Sequence, residues 1–527
     1  MTTAENRAAM LKWLSEVETA KQVVSEEARS EAIAKQHALG KLSAMERINL
    51  LCDPGSYVEY GLLVKSLGET EDTKNLDAPR DGVIAGLGNI AGRPAAVVSW
   101  DFTVFGGSMG KAGGEKSVRM TRLAMQNGFP LIMLHDGGGH RIHEGLDSRH
   151  FARASGEGFL ILARMSGWVP IVAGMMGPGF AGPSNFAAMA DFTVMVKGTS
   201  TMGIAGPQLV KAALGEDLSK EELGGSRIHT AVTGMADLEA EDDRHCLKLI
   251  KEFLSFFPSN CNEPLPIIPC EDPPHRRDEE LLEIIPPALK EFYDMRKVAR
   301  HIVDHHYFFE LKPRYAPNII TLLARMNGRP VGIVGNQPLV WGGTLDTPAT
   351  EKAAHFISLC DAFGLPLIFL TDIPGFLPGS ASEKTGLVRH SGKMLYEIGH
   401  ATVPKISIVT RKGYGLGYLA MAGGRSFNAD LAVCWPSANI CAMSLEGAVD
   451  VAYRKDYMAA PDPQKRRQEL LEHFSSQLGA VRAGEGFGLD DVIDPRDTRR
   501  LIISTLEKVK PRQETFFPPK RHGIVPI

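Results

Sequence analysis

From about residue 81 onward, short runs of uninterrupted apolar residues alternate with longer polar stretches of helical character. The runs are Ala95-Ala-Val-Val-Ser99, Pro130-Leu-Ile-Met-Leu134 and Ile171-Val-Ala-Gly174, then Val331-Gly-Ile-Val-Gly335, Pro366-Leu-Ile-Phe-Leu370 and Ile406-Ser-Ile-Val409. Apolar runs of this length without polar alternation fit strands buried on both faces. Strands that alternate with helices argue for parallel pairing and an α/β class. Residues 1–50 read as helical, with apolar spacing at Met10, Trp13, Leu14 and Val17, and Cys52-Asp-Pro-Gly-Ser56 reads as a turn. Asn260 to Arg277 is rich in proline and charge and has linker character. Helices are predicted around Asp294 to His305 and from Gln464 to Leu478, and the Pro-rich tail from Phe516 is expected to pack on the surface or on a partner subunit.

The pattern occurs twice. Gly92-Arg93-Pro94 aligns with Gly328-Arg329-Pro330 at an offset of 328 − 92 = 236. Without a gap, that offset carries Gly106-Gly107 onto Gly342-Gly343, Glu115-Lys116 onto Glu351-Lys352, Gly128 onto Gly364, Asp136 onto Asp372 and Gly139 onto Gly375. Register kept at glycines and an acid over some fifty residues marks a duplicated unit, and two glycine-rich strand exits point to two half-sites facing two ligands.

A chain of 527 residues is too long for one compact core, so the expected organisation is an N-terminal helical extension over residues 1–80, a domain over 81–259, a connection over 260–317 and a second domain over 318–527. A net charge of −4 gives no reason to expect a nucleic-acid or membrane surface. Phe159 to Gly177 is nearly long enough to span a bilayer, but Arg164 interrupts it, and Pro170 with several glycines fits a buried helix, turn and strand. The seven cysteines are odd in number and lack CxxC spacing, which argues against a zinc ribbon or disulfide framework and for a reducing compartment. Glu5, Glu16 and Glu18 argue against an Arg-rich transit peptide, so a cytoplasmic location is expected.

The strongest chemical signal is Gly177-Pro-Gly-Phe-Ala-Gly-Pro183 and its counterpart Gly413-Tyr-Gly-Leu-Gly417, at an offset of 413 − 179 = 234. Each lies between an apolar strand and a small-residue helix. There, backbone N–H groups lack partners, the helix dipole is positive, and missing side chains let a ligand approach. Two such donors aimed at one oxygen form an oxyanion hole; the alternative is that the glycines only permit tight turns. Asp136 and Asp372, at the other strand exits, read as turn caps or as catalytic acids. His140 and His143 lack a third ligand at metal spacing, so no metal is expected. Neither GxGxxG after a first strand nor GxxxxGK[ST] occurs in context. Lys197 in Val196-Lys-Gly-Thr-Ser200 reads as a surface lysine that could also meet phosphate. No Ser-His-Asp order or paired carboxylates emerge, so backbone donors must act on a substrate that is already acidic, such as a thioester, or on a ligand that brings its own reactive group.

At these residues the chain resembles the biotin-dependent acyl-CoA carboxyltransferases, the β subunits of propionyl-CoA carboxylase and its relatives. The resemblance runs from about Gln36 to Arg454. It rests on Gln36-His-Ala-Leu-Gly-Lys41, Asp101-Phe-Thr-Val-Phe-Gly-Gly-Ser108, Glu222-Leu-Gly-Gly225, Tyr293-Asp-Met-Arg296, Asn336-Gln-Pro-Leu339, Asp372-Ile-Pro-Gly-Phe-Leu-Pro-Gly379 and Ala401-Thr-Val-Pro-Lys405. It implies two tandem crotonase-like domains with β-β-α spiral cores, in a head-to-tail dimer usually built into a hexamer. Acyl-CoA would sit on the N-terminal domain, with biotin, borne by a biotin carboxylase/biotin carrier α subunit, entering along the C-terminal one. Carboxybiotin would release carbon dioxide, the ureido anion take the α-proton, and the enolate attack. Ala181 and Gly182 would hold the thioester oxygen and Leu416 and Gly417 the ureido oxygen. Gly106, Gly107, Gly138, Gly139, Gly179 and Phe180 would line the acyl-CoA side, and Gly342, Gly343, Gly375, Tyr414 and Gly415 the biotin side.

The chain departs from that family at both holes. Consecutive glycines followed by Ala are usual in the first; here Pro183, which has no N–H, follows Ala181-Gly182. Leu416 stands where the second hole usually has glycine, and Gly137-Gly-Gly-His140-Arg-Ile-His143 replaces a usual Ser-Gly-Gly-Ala-Arg-Ile-Gln. The expected function is carboxyl transfer from carboxybiotin to a short or branched acyl-CoA. A malonyl-type acyl-CoA decarboxylase, or a non-catalytic paralogue, is the alternative. The chain has no Ala-Met-Lys-Met biotinylation motif and no ATP-grasp region, so the first reading requires a partner.

Overall fold

The computed structural model describes residues 2–68, 73, 76–146, 148, 152, 156–475, 477–511 and 524–526. Most of the proline-rich tail from Phe516 lies outside them. The chain divides into two compact units, Met1–Glu263 and Pro264–Ile527.

In the first unit, three helices precede the sheet: α1 (Thr3–Val23), α2 (Ser30–Ala38) and α3 (Ala44–Leu51). Both α1 and α3 start with a capping box, Thr2 with Glu5 and Ser43 with Glu46, in which side chain and backbone satisfy one another's end groups. No residue of α1 is buried, so its Met10, Trp13, Leu14 and Val17 stripe is exposed, whereas α3 buries Arg47, Ile48 and Leu51. The strands are β1 (Val58–Glu59), β2 (Val83–Ile90), β3 (Arg93–Trp100), β4 (Leu131–His135), β5 (Ile171–Met175), β6 (Pro178–Phe180), β7 (Phe192–Val196), β8 (Thr201–Gly203) and β9 (Leu238–Ala240). They form a seven-stranded sheet in the order β1-β2-β3-β4-β5-β7-β9 and a separate β6-β8 pair. β1 to β3 pair antiparallel and the rest parallel. α4 (Lys111–Asn127) and α5 (Glu157–Met165) pack on the sheet through Met120, Ala124, Ile161, Leu162 and Met165. α6 (Gly182–Ala188) leaves β6, and α7 (Asp243–Phe256) covers the sheet's far edge. The apolar stretch from Phe159 to Gly177 is therefore the end of α5, a turn and β5. Among the described residues no helix is long and apolar enough to cross a membrane.

The second unit repeats this plan. Its strands are β10 (Phe308–Leu311), β11 (Ile319–Met326), β12 (Arg329–Asn336), β13 (Leu367–Ile373), β14 (Lys405–Tyr414), β15 (Leu431–Cys434), β16 (Asn439–Cys441) and β17 (Asp491–Val492), in the order β10-β11-β12-β13-β14-β15-β17 with β16 beside β14. Its principal helices are α8 (Thr347–Ala362), α9 (Leu387–His400) and α10 (Gly415–Ala420). Register repeats at the offset seen in the sequence: Val83 faces Trp100 and Ile319 faces Asn336, while Ala96 faces Leu131 and Gly332 faces Leu367. Each unit is thus the β-β-α spiral of an α/β, crotonase-like chain.

The duplicated Gly-Arg-Pro marks one hairpin in each unit. Ala91 and Gly92 have φ of 49° and 77°, and Asn327 and Gly328 have 52° and 77°, the left-handed pair that a two-residue hairpin requires. A carboxylate ties each turn: Asp53 accepts from the Ala91 and Gly92 amides at 3.0 and 2.7 Å, and Asp304 from Asn327 and Gly328 at 2.9 and 2.7 Å.

Candidate active site

Below each helix–sheet junction a buried lysine closes the spiral. Lys116 donates to the Val83 carbonyl at 2.6 Å and to that of Gly61 at 3.2 Å. Its equivalent Lys352 donates to Lys312, Tyr315, Ala316 and Ile319 carbonyls at 2.8, 2.9, 3.3 and 2.8 Å. Val83 and Ile319 are themselves 236 residues apart, so one tie serves both units. Burial pushes the Lys116 ammonium down to about 8.

Asp136 and Asp372 are neither caps nor free acids. Both are fully buried. Asp136 accepts from Lys41 Nζ at 2.5 Å and Gln36 Nε2 at 3.0 Å, and pairs with Arg47 at 2.8 Å, so α3 and the loop before it supply its counter-charges. Asp372 accepts from Arg411 Nε at 3.0 Å and the Lys412 amide at 3.1 Å, with Lys412 Nζ at 3.6 Å; here β14 supplies the charge. Arg47 also reaches Asp243 at 2.7 Å, on α7. These pairs hold the strand-exit loops in place rather than offering a proton.

Several predicted glycines serve that same packing. A Cβ on Gly107 would lie 2.0 Å from the Asp136 carbonyl oxygen, and one on Gly343 would lie 2.6 Å from that of Asp372. Both have positive φ, 69° and 82°, which adds a second reason for glycine. Gly106 and Gly342, also at positive φ, have nothing closer than 3.8 Å around a Cβ. Gly138 donates to the Gly106 carbonyl at 3.2 Å. Gly179 lies in β6, where its carbonyl accepts from Ser184 Oγ at 2.5 Å, and Phe180 packs against Gly203 and Gly206. Tyr414 is buried, its hydroxyl bonded to Asn439 at 3.2 Å and pushed up to about 12 by burial.

At the first strand–helix junction, Ala181 sits at φ 54°, ψ −110°, and its amide donates to the Gly203 carbonyl at 2.9 Å. Ala181 is therefore spent as an oxyanion donor, contrary to its expected role. Gly182 is the first helical residue, so its N–H is one of those a helix cannot satisfy, and a Cβ there would meet nothing within 4 Å. Pro183 falls at the second helical position, where a missing N–H breaks no intrahelical bond. The strand-exit loop crosses this junction at Gly139, whose φ is 96° and whose Cβ position is 2.9 Å from the Phe180 carbonyl. Among the described residues nothing accepts from the Gly139 or Gly182 amides. Both line, with His140, Ala181 and Pro183, a cavity of about 1150 Å³.

The second junction is built alike. Gly415, at φ 55°, starts α10; Leu416 and Gly417 follow in its first turn, and a Cβ on Gly417 would lie 3.0 Å from the Gly375 Cα. Gly375 has φ 134° with open space around it. Leu416 is half exposed, so its side chain turns to solvent while its amide remains in the helix's unsatisfied set. Open space at Gly375 beside two first-turn amides fits the carbonyl oxygen of a ureido ring.

Elsewhere, Lys197 is exposed and 3.5 Å from Glu241. His143 is exposed. Sequence spacing missed Asp278, His301 and His306, whose ligand atoms lie within 4.8 Å of one another. Arg276 already pairs with that carboxylate, which competes with any cation there. The Asp136 and Asp372 anchors were also missed, because Lys41 and Arg47 sit some ninety residues from their partner. Lys116 and Lys352 had a signal in the repeat itself.

A family model for the carboxyl transferase domain matches residues 35–525. The chain is 42% identical over 508 residues to the methylmalonyl-CoA carboxyltransferase 12S subunit of Propionibacterium freudenreichii subsp. shermanii, covering 96% of this chain and 95% of that one. It is 40% identical over 499 residues to the mitochondrial propionyl-CoA carboxylase beta chain of Homo sapiens, covering 94% and 90%. Among solved structures it superposes with a TM-score of 0.92 on a transcarboxylase 12S, described as a hexamer assembly with methylmalonyl-coenzyme A bound, at 41% identity, covering 100% of this chain and 99% of that one.

Proposed function

The chain belongs to the carboxyl transferase domain family, among biotin-dependent acyl-CoA carboxyltransferases, and from that premise we propose that its first junction holds the acyl-CoA thioester and its second the ureido ring of biotin. The reaction moves a carboxyl group between biotin and the α-carbon of a short or branched acyl-CoA. Carboxybiotin on a partner subunit would supply the carboxyl group as carbon dioxide, and the ureido nitrogen freed by that cleavage would take the α-proton. Gly182 and Gly139 donate their amides to the thioester oxygen, so that charge developing on it as the α-proton leaves meets fixed dipoles. Leu416, Gly417 and Gly375 hold the ureido oxygen in the second unit. Lys116, Lys352 and the two buried aspartates position these loops and exchange no proton. The protein assembles as a hexamer, as its relative's structure is described to do.

The carrying observation is that each unit crosses a strand-exit glycine, Gly139 or Gly375, against the first turn of a helix whose amides are unspent. The test is carboxyl transfer by the purified chain to biotin from a panel of 2-carboxyacyl-CoAs of increasing chain size, methylmalonyl-CoA among them, read as carboxybiotin formed. Transfer that requires both substrates supports the reading. Carbon dioxide release from the thioester without biotin would favour a decarboxylase, and no turnover with either would leave the fold without this chemistry.

A further inference from the structure

The cavity beside Gly139 and Gly182 is larger than a three-carbon acyl group needs. At about 1150 Å³ it exceeds the roughly 300–1000 Å³ of pockets that enclose whole drug-sized ligands. Its buried end is formed by Trp100, Met120, Met133 and Leu162, all at most 3% exposed. Phe159 and Phe186 continue that wall. Their rings stack at 4.4 Å, and Phe186 meets His135 at 6.5 Å, which in turn stacks on Trp100 at 4.2 Å. His135 is fully buried, with both ring nitrogens unpartnered among the described residues. The imidazole is neutral, because burial pushes it down to about 3.

Of the charged groups that border the cavity, Lys65, Glu115 and Arg119 are exposed at its solvent side, and the others are engaged elsewhere. Lys116 is spent on Val83 and Gly61, and Arg122 pairs with Glu157. What remains facing inward is aromatic and thioether surface, with no free charge at the buried end. Apolar volume of this kind costs stability for every Å³ left unfilled. The same space opens directly onto the amides assigned to the thioester oxygen, so a group attached to that thioester has a path inward.

We propose that this cavity receives the acyl chain, and that the substrate is an acyl-CoA with a bulky apolar chain, branched or ring-bearing and well beyond three carbons. This rests on the transfer site placed above. It deepens that reading by giving the acyl class, which the second unit and the hole amides leave open.

The test is titration calorimetry of the purified chain with CoA, propionyl-CoA, octanoyl-CoA and 3-phenylpropanoyl-CoA. Each buried methylene contributes about fourfold in affinity, so octanoyl-CoA and 3-phenylpropanoyl-CoA should bind at least about thirtyfold tighter than propionyl-CoA. Propionyl-CoA binding within threefold of both would overturn the proposal while leaving carboxyl transfer intact. Gly114→Leu tests the location: Gly114 is the fourth residue of α4, on the cavity wall, and the atoms nearest to a Cβ there belong to the Met109 side chain, at 3.6 Å or more. The leucine improves helix propensity and fills the cavity, so the octanoyl-to-propionyl ratio should fall at least fivefold. An unchanged ratio in a folded Gly114→Leu protein would place the chain elsewhere. If no CoA thioester binds at all, the transfer-site reading falls first and takes this one with it.

Discussion

Removing one hydrogen atom from the backbone tests the first hole. Incorporating glycolate in place of Gly182 turns the 181–182 amide into an ester and deletes the N–H without adding a side chain. An oxyanion donor contributes about 10²–10³-fold to kcat, or about 2.7–4 kcal/mol, when the site is sheltered from water. The structure fixes what else changes. The ester carbonyl of Ala181 is a poorer acceptor, and it takes hydrogen bonds from the Asn185 amide at 3.0 Å and Asn185 Nδ2 at 2.9 Å. Weakening those two bonds should cost on the order of 1 kcal/mol of stability, a shift readable in a thermal melt. No helical bond is lost, because Gly182 opens the helix. Gly182→Ala is the control: its backbone is not left-handed and a Cβ meets nothing within 4 Å, so it should keep at least a third of wild-type turnover. Gly182→Pro should lose at least as much as the ester. Its ring also constrains Ala181, whose ψ of −110° lies far from the range preferred before proline. The assay is steady-state carboxyl transfer from methylmalonyl-CoA, with kcat and KM separated. The loss should fall on kcat, since the donor binds charge that appears only as the α-proton leaves. An ester variant within threefold of wild type, or an alanine variant as slow as the ester, would refute the placement.

Asp136→Asn should leave Lys41 buried without its counter-charge and Arg47 with Asp243 alone, costing about 3–5 kcal/mol. At roughly 2–4 °C per kcal/mol for a unit of this size, calorimetry should show that unit melting at least 6 °C lower. Gly107→Ala should cost several times more in denaturant stability than Gly106→Ala. Both have positive φ, but only the former drives a methyl to within 2.0 Å of a backbone oxygen. Lys116 is held below its unfolded value by burial, so the folded state binds fewer protons than the unfolded state between about pH 8 and 10.5. Its contribution to stability must therefore rise with pH across that window, by roughly 3 kcal/mol in all. Urea titrations of wild type and Lys116→Met should diverge upward between pH 8 and 10, and a flat difference would mean that Lys116 is not desolvated. His135→Phe should be neutral or stabilising, by up to about 2 kcal/mol, because it removes two buried nitrogens that lack partners.

The fold was legible because its signals are local. Every apolar run became a strand, and one offset of 236 predicted two ladders with the same register. The glycine of each Gly-Arg-Pro proved to be the second residue of a left-handed hairpin pair, Ala91-Gly92 and Asn327-Gly328. The ties were illegible because they cross the chain. Asp53 and Asp304 grip equivalent turns, yet they stand 251 residues apart rather than 236, from 304 − 53. Asp136 draws its counter-charges from α3 and the loop before it, upstream of the repeat, while Asp372 draws them from the strand beside it. Duplication kept the backbone path and the position of the acid. Each copy then found its own cation, since a buried carboxylate requires a partner but not a particular segment to supply it.

The same distinction explains how the altered holes can persist. Read along the sequence, the hole calls for two donors on adjacent residues, and Pro183 removes one of them. On the placement proposed above, the second donor is the amide of Gly139, forty-three residues earlier, at a junction where the Ala181 amide is already given to Gly203. Proline at the second helical position then costs the hole nothing and adds a rigid start to the helix. Leu416 is tolerated for a related reason, because its amide is one of the first-turn amides a helix leaves unsatisfied while half of its side chain lies in solvent. A hole assembled from two loops constrains backbone direction at four glycines, Gly139, Gly182, Gly375 and Gly417, and leaves the side chains between them free to vary. A conservative Leu416→Ala exchange should accordingly change turnover less than threefold. A Gly417→Ala methyl, forced to within 3.0 Å of Gly375 Cα and 2.7 Å of Ile373 Cδ1, should spread the two loops and cost at least about tenfold.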